Sequence, residues 1–175
     1  MYKLVLALAA VFVLGAVTAV AWAAPPTSKN FNAHLTGSQE VPARDTQAQG
    51  QATFKVGGGG SELSYQLSVA NIENVVAAHI HCGAAGVNGP VGVFLYGNVP
   101  PGGGRVSGVI AKGAISDDDL TAACWDSVEE LVDEMIAGNT YVNVHTNDGV
   151  APTNTGPGDF PGGEIRGQIR ENGPS

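Results

Sequence analysis

Along most of this chain, apolar and polar side chains alternate one by one, the period of a strand with one buried face. Phe31, Ala33 and Leu35 share one side, with Asn32 and His34 on the other. The pattern returns at Ala52, Phe54 and Val56, with Thr53 and Lys55 outward. After the glycines at 57–60 it resumes at Leu63, Tyr65, Leu67 and Val69, between Ser64, Gln66 and Ser68. Two alternating runs around a glycine turn predict a hairpin. A strand over 75–81 would bury Val76, Ala78 and Ile80 and turn His79 and His81 outward together. Further strands are predicted at 91–96, 106–115, 140–146 and 163–169. In the last, Ile165, Gly167 and Ile169 face the core, with Glu164, Arg166 and Gln168 opposite. Segments rich in glycine and proline at 83–90, 100–104 and 147–162 separate these runs. About eight short strands so punctuated predict an all-β fold, a Greek-key β-sandwich in a single domain over 30–171.

One stretch has the helical period instead. Val128, Leu131, Val132, Met135 and Ile136 form an apolar stripe, Ser127 and Glu130 a capping box, and Gly138 a terminating glycine. The carboxylates on its outer face, Glu129, Glu130, Asp133 and Glu134, read as a solvated surface.

Residues 1–24 are set apart by composition. Lys3 precedes an apolar run from Leu4 to Val20, and Ala21-Trp22-Ala23 has the small-x-small form of a cleavage site. This predicts a signal peptide, with retention as a membrane anchor as the alternative, and hence a secreted or periplasmic protein. In such a compartment an even pair of cysteines, Cys82 and Cys124, favours a disulfide. Cys82 as a soft metal ligand beside His81 is the rival reading, but on a continuing strand it points to the opposite face. The net charge is −8, and eight of the sixteen carboxylates fall between Asp117 and Glu134. With the basic residues scattered, no stripe exists to follow a phosphate backbone, so nucleic acid is excluded as a partner class.

The chemistry on offer is imidazole. His79 and His81 lie two residues apart on one strand face, roughly 6.7 Å between Cα atoms, a span that two imidazoles close around one ion. His145 on the strand at 140–146 supplies a third, with Asn143 on the same face to orient a ligand. Neutral imidazoles suit copper or zinc, and Glu40 or His34 are candidates for a fourth ligand. No Gly-x-Ser-x-Gly elbow, His-Glu-x-x-His helix or Cys-x-x-Cys pair is present. The loop residues Asn147, Asp148, Asn154 and Asp159 have no calcium-motif spacing.

Several blocks, in order, resemble the CHRD domain, the module first named from chordin and widespread in exported bacterial proteins. They are Leu35-Thr-Gly-Ser-Gln-Glu-Val-Pro42, Ala78-His-Ile-His81 with Gly86-Val-Asn-Gly-Pro-Val91, Gly138-Asn-Thr-Tyr-Val-Asn-Val-His-Thr146, and Gly158-Asp-Phe-Pro-Gly-Gly-Glu-Ile-Arg-Gly-Gln-Ile169. The resemblance spans 30–170 and implies no general activity. A weaker resemblance runs to copper/zinc superoxide dismutase, which also has a His-x-His strand, a later strand ending in histidine, and an arginine near its copper. The counterparts here are His79, His81, His145 and Arg166; a histidine-rich zinc loop between 82 and 140 is missing. This analogy implies copper rather than zinc, and a catalytic role for Arg166 only if the chain is dismutase-like. Three functions are therefore expected in order: a metal-binding module, a copper-only dismutase-like enzyme, and a metal-free adhesion or envelope interaction module.

Overall fold

The computed structural model describes residues 29–173. The signal peptide expected at 1–24 lies outside the described residues. Nine strands and one α-helix follow in chain order. The strands are β1 (Asn30–Thr36), β2 (Gln49–Gly57), β3 (Glu62–Glu73), β4 (Val75–Cys82), β5 (Val91–Tyr96), β6 (Arg105–Ile115), β7 (Thr140–Thr146), β8 (Ile165–Gln168) and β9 (Arg170–Glu171); the helix α1 is Val128–Ala137. The order across the antiparallel sheet is β5-β4-β7-β8-β1-β2-β3-β6, with β9 paired to β1. The free edges of β5 and β6 approach one another, so the sheet curls into a nearly closed barrel. β3 and β4 are consecutive in sequence, yet β6 and β5 lie between them, and β6 to β7 crosses in the same way. These are Greek-key connections. Among the described residues no helix is long and apolar enough to cross a membrane.

The predicted hairpin forms in register, Phe54 opposite Tyr65 and Ala52 opposite Leu67. Phe31, Leu35, Leu63, Leu67, Ile80, Val142, Val144, Ile165 and Ile169 fill the barrel interior, each fully buried. Burying a side chain of this size contributes about 1.5–3 kcal/mol. α1 closes one end of the barrel with Val128, Leu131, Val132 and Met135, whereas Ile136, expected in the stripe, is 43% exposed. Ser127 caps the helix through Glu130 N, and Gly138 ends it in the left-handed region. The expected capping box is shifted: Glu130 accepts from the Asp126 N–H rather than from Ser127. A complete box forms instead at Ser116 and Asp119, ahead of the helix.

Two expectations for β4 need correction. A register shift between Val75 and Ala77 breaks the alternation, so Val75 joins the core and Val76 is only half-buried. The histidine face also does not meet solvent: His79 and His81 are 8% and 7% exposed. Loops at 83–90, 40–46 and 147–163 cover that face, and both sides of the strand are therefore buried. Cys82 points away from it and is bonded to Cys124, which ties the end of β4 to the segment before α1.

Candidate metal centre

The site is built on the outer face of three adjacent strands. Pairing of β4 with β7 sets His79 opposite Asn143, His81 opposite Tyr141 and Ala77 opposite His145. Pairing of β7 with β8 then sets Asn143 opposite Arg166. Alternation places His79, His81, Tyr141, Asn143, His145 and Arg166 on one side, away from the barrel interior. The three histidines expected from the sequence are brought together, with one ligand atom from each lying within 4.8 Å of the others. No other group of three histidine, cysteine or acidic side chains converges in this way among the described residues.

The surrounding carbonyls fix the tautomers. His145 Nδ1 lies 2.9 Å from Pro161 O and His81 Nδ1 lies 2.9 Å from Gly89 O. A carbonyl only accepts, so both rings carry their proton on Nδ1 and present a bare Nε2. His79 Nδ1 sits 3.0 Å from His145 Nε2 and donates to it. His79 Nε2 and His81 Nε2 are buried with no partner. Burial, and then the cost of placing a second positive charge beside His145 and His81, pushes the pKa of His79 down to about 3. Burial also lowers His81 and His145. Three neutral imidazoles are the form that coordinates a metal.

Behind His81 the side chains are stacked. The Tyr141 ring lies parallel to it, 4.8 Å between centroids, and the Arg166 guanidinium lies 3.4 Å over the far face of Tyr141. Arg166 is 1% exposed. Its Nη1 donates to Asn88 Oδ1, and its Nη2 to Ala84 O and Val87 O. It therefore clamps the 83–90 loop, the same loop whose Gly89 carbonyl orients His81. Gln168 ties Gly83 O to Gly138 O, and the Gly89 N–H donates to Tyr141 Oη. Phe94 of β5 stands edge-on to His79 at 4.6 Å and is half exposed, so it screens the ring from one side.

Glu40 arrives from the turn after β1. It is 6% exposed, and its Oε1 has no partner. Burial raises its pKa to about 7 despite Arg166 and Arg44 nearby. Glu40 Oε1 and Asn143 Nδ2 flank Gly163 on the same side, which places this carboxyl beside the histidine strands. Of the two candidates for a further ligand, His34 is exposed on β1, while Glu40 packs with Asn143 against Gly163. Glu40 nonetheless stands outside the converging ligand group.

Glu164 is fully buried and accepts from Thr46 Oγ1, Thr146 Oγ1 and Gly158 N, at 2.6, 2.7 and 2.9 Å. It anchors the 147–163 loop that carries the Pro161 carbonyl. The acidic residues of that loop close its turns, Asp148 on Val150 N and Asp159 on Thr155. The sequence reading did not anticipate the Tyr141 stack or the burial of Glu40. The first could be read from Tyr141 sharing the His145 face; nothing local announces the second.

Compared with known families, residues 31–169 match the CHRD domain, most of the chain. No curated protein and no solved structure matches it.

Proposed function

We propose that this chain, which belongs to the CHRD domain family, is an exported binding module that holds one metal ion at His79, His81 and His145. The observation that carries the reading is the convergence of three neutral imidazoles within 4.8 Å, two with the tautomer set by carbonyls. His81 and His145 would coordinate through Nε2. His79 would supply the third ring nitrogen. Copper is the preferred ion, since an all-imidazole set suits it and the His-x-His strand is similar to that of copper/zinc superoxide dismutase; zinc is the alternative. The disulfide supports an oxidising compartment.

The second reading is a copper-only enzyme of the superoxide dismutase type. It is favoured by Arg166 lying on the site face, opposite Asn143 in the ladder. Its Nη groups are engaged on the 83–90 loop, so a catalytic Arg166 would act through its charge.

Metal content of the purified chain, wild type beside His79→Ala/His81→Ala, tests the proposal. Near-stoichiometric copper or zinc in the wild type, lost in the double variant, supports it and opens the superoxide assay. Absence of both metals, even after incubation with each, refutes it and leaves a metal-free adhesion or envelope module.

A further inference from the structure

The buried polar atoms without partners are not scattered over the fold. Among the described residues they are six, and four belong to the histidine face: Glu40 Oε1, Asn143 Oδ1, His79 Nε2 and His81 Nε2. The other two, Thr140 Oγ1 and Asp159 Oδ1, belong to separate segments. With its proton on Nδ1, His81 offers only a lone pair at Nε2, and Asn143 Oδ1 beside it also only accepts. Two acceptors facing one another without a donor are each left desolvated, an arrangement native interiors avoid. An ion at the triad satisfies the imidazole. It does not satisfy Asn143 or Glu40, because Glu40 stands outside the ligand group and an amide oxygen is a poorer ligand than imidazole for copper or zinc. What both lack is a hydrogen-bond donor.

We infer that the metal's fourth position is open and exchangeable, and that Glu40 and Asn143 are the acceptors for a small hydrogen-bond-donating ligand seated there, water at rest. This rests on the triad holding a metal and specifies what else the site takes. Both side chains are more than nine-tenths buried, so neither can turn to solvent for a donor. Both pack against Gly163: a Cβ there would come within 2.9 Å of Asn143 Nδ2 and of Glu40 Cδ, and closer still to Glu40 Oε1. A site of this kind admits any small molecule that combines a lone pair for the metal with a proton for Glu40. Water, hydrogen peroxide and hydroxylamine meet that description; a bulky chelate does not. Three protein ligands with an exchangeable fourth is the arrangement of a reactive rather than a purely structural ion.

The experiment uses copper(II) as the probe ion on the full chain. Copper stoichiometry and nitrogen couplings from three imidazoles are established first, by elemental analysis and electron paramagnetic resonance. Failure at that stage sinks the metal reading itself. Proton ENDOR in H2O and D2O, with water-proton relaxivity, then reads the fourth position. The expected result is a strongly coupled exchangeable proton beyond the weak ones of the imidazole N–H groups. In Glu40→Gln and in Asn143→Leu that coupling shifts or disappears, while copper stoichiometry and nitrogen couplings stay as in the wild type. A copper-loaded wild type with no such proton has a closed position and overturns the inference with the metal site intact. An exchangeable proton indifferent to both substitutions overturns it equally, since its partners then lie elsewhere.

Discussion

Gly163→Ala is the substitution that tests most sharply how the site is held. Gly163 has φ of +124°, outside the regions open to L side chains. Placing alanine there costs about 1–3 kcal/mol in backbone strain alone. The new methyl also meets Asn143 Nδ2 and Glu40 Cδ, each at 2.9 Å. At an exposed position the neighbours would swing aside. Here Glu40 and Asn143 are 6% and 3% exposed, and neither has solvent to swing into. Overpacking of that kind adds about 1–3 kcal/mol. The two together predict a loss of about 2–6 kcal/mol, which at about 2–4 °C per kcal/mol lowers Tm by at least about 4 °C. Urea melts of the metal-free protein followed by circular dichroism measure it, with Gly162→Ala as control. Gly162 is exposed, and the nearest atom to its added Cβ is Arg44 Nη2 at 3.7 Å, so that change should stay within about 0.5 kcal/mol. If Gly163→Ala lost less than about 1 kcal/mol, the 161–164 turn would be free to re-route. The tight packing of Glu40 and Asn143 against Gly163 would then be wrong.

Three further outcomes follow from the same geometry. The Cys82–Cys124 bond spans 42 positions, so its removal in Cys82→Ser/Cys124→Ser should cost about 4 kcal/mol on the chain-entropy model, read as a matching fall in the urea midpoint; an unchanged midpoint would refute it. Copper at a hundred times its Kd should stabilise the native state by about 2.7 kcal/mol and raise Tm by roughly 5–11 °C, an effect that His145→Ala removes in calorimetry. In the metal-free protein Glu40 is held up to about 7 by burial, above its ordinary 4.5. Its raised pKa means stability is full below pH 4.5 and declines as the pH rises through 7. Glu40→Gln should flatten that decline, by about 3 kcal/mol at most, in melts taken across that window.

Much of the scaffold was legible because one face of each strand is apolar. The runs at 31–35, 52–56 and 63–69 have the predicted alternation, with Val56 and Tyr65 only half-buried, and β5 and β7 have the predicted bounds. The triad was legible too, since a period of two puts His79 and His81 together and pairing adds His145. Its burial was not. A polar face reads as solvent-facing whether water or a loop covers it, and the covering here depends on contacts far apart in sequence. Arg166 reaches Ala84, Val87 and Asn88, and Glu164 reaches Thr46. The register shift between Val75 and Ala77 was hidden for a related reason, since Val75, Val76 and Ala77 are all apolar and carry no phase. Glu40 looked no better placed than His34, because the turn between them decides which packs with Asn143 against Gly163.

The position of β8 bears on how the chain can be made. β8 enters between β7 and β1, strands separated by more than a hundred residues, and it follows both of them in the chain. Until it is made, β1 and β7 are both unpaired edges, and a growing or truncated chain presents two templates for strand addition by its neighbours. Arg166, Glu164 and the Pro161 carbonyl arrive with that segment, so a shortened product would have the histidines without their supports. Misassembly and loss of the site would then share one cause, and quality control that removes incomplete chains would also remove molecules able to hold an ion badly.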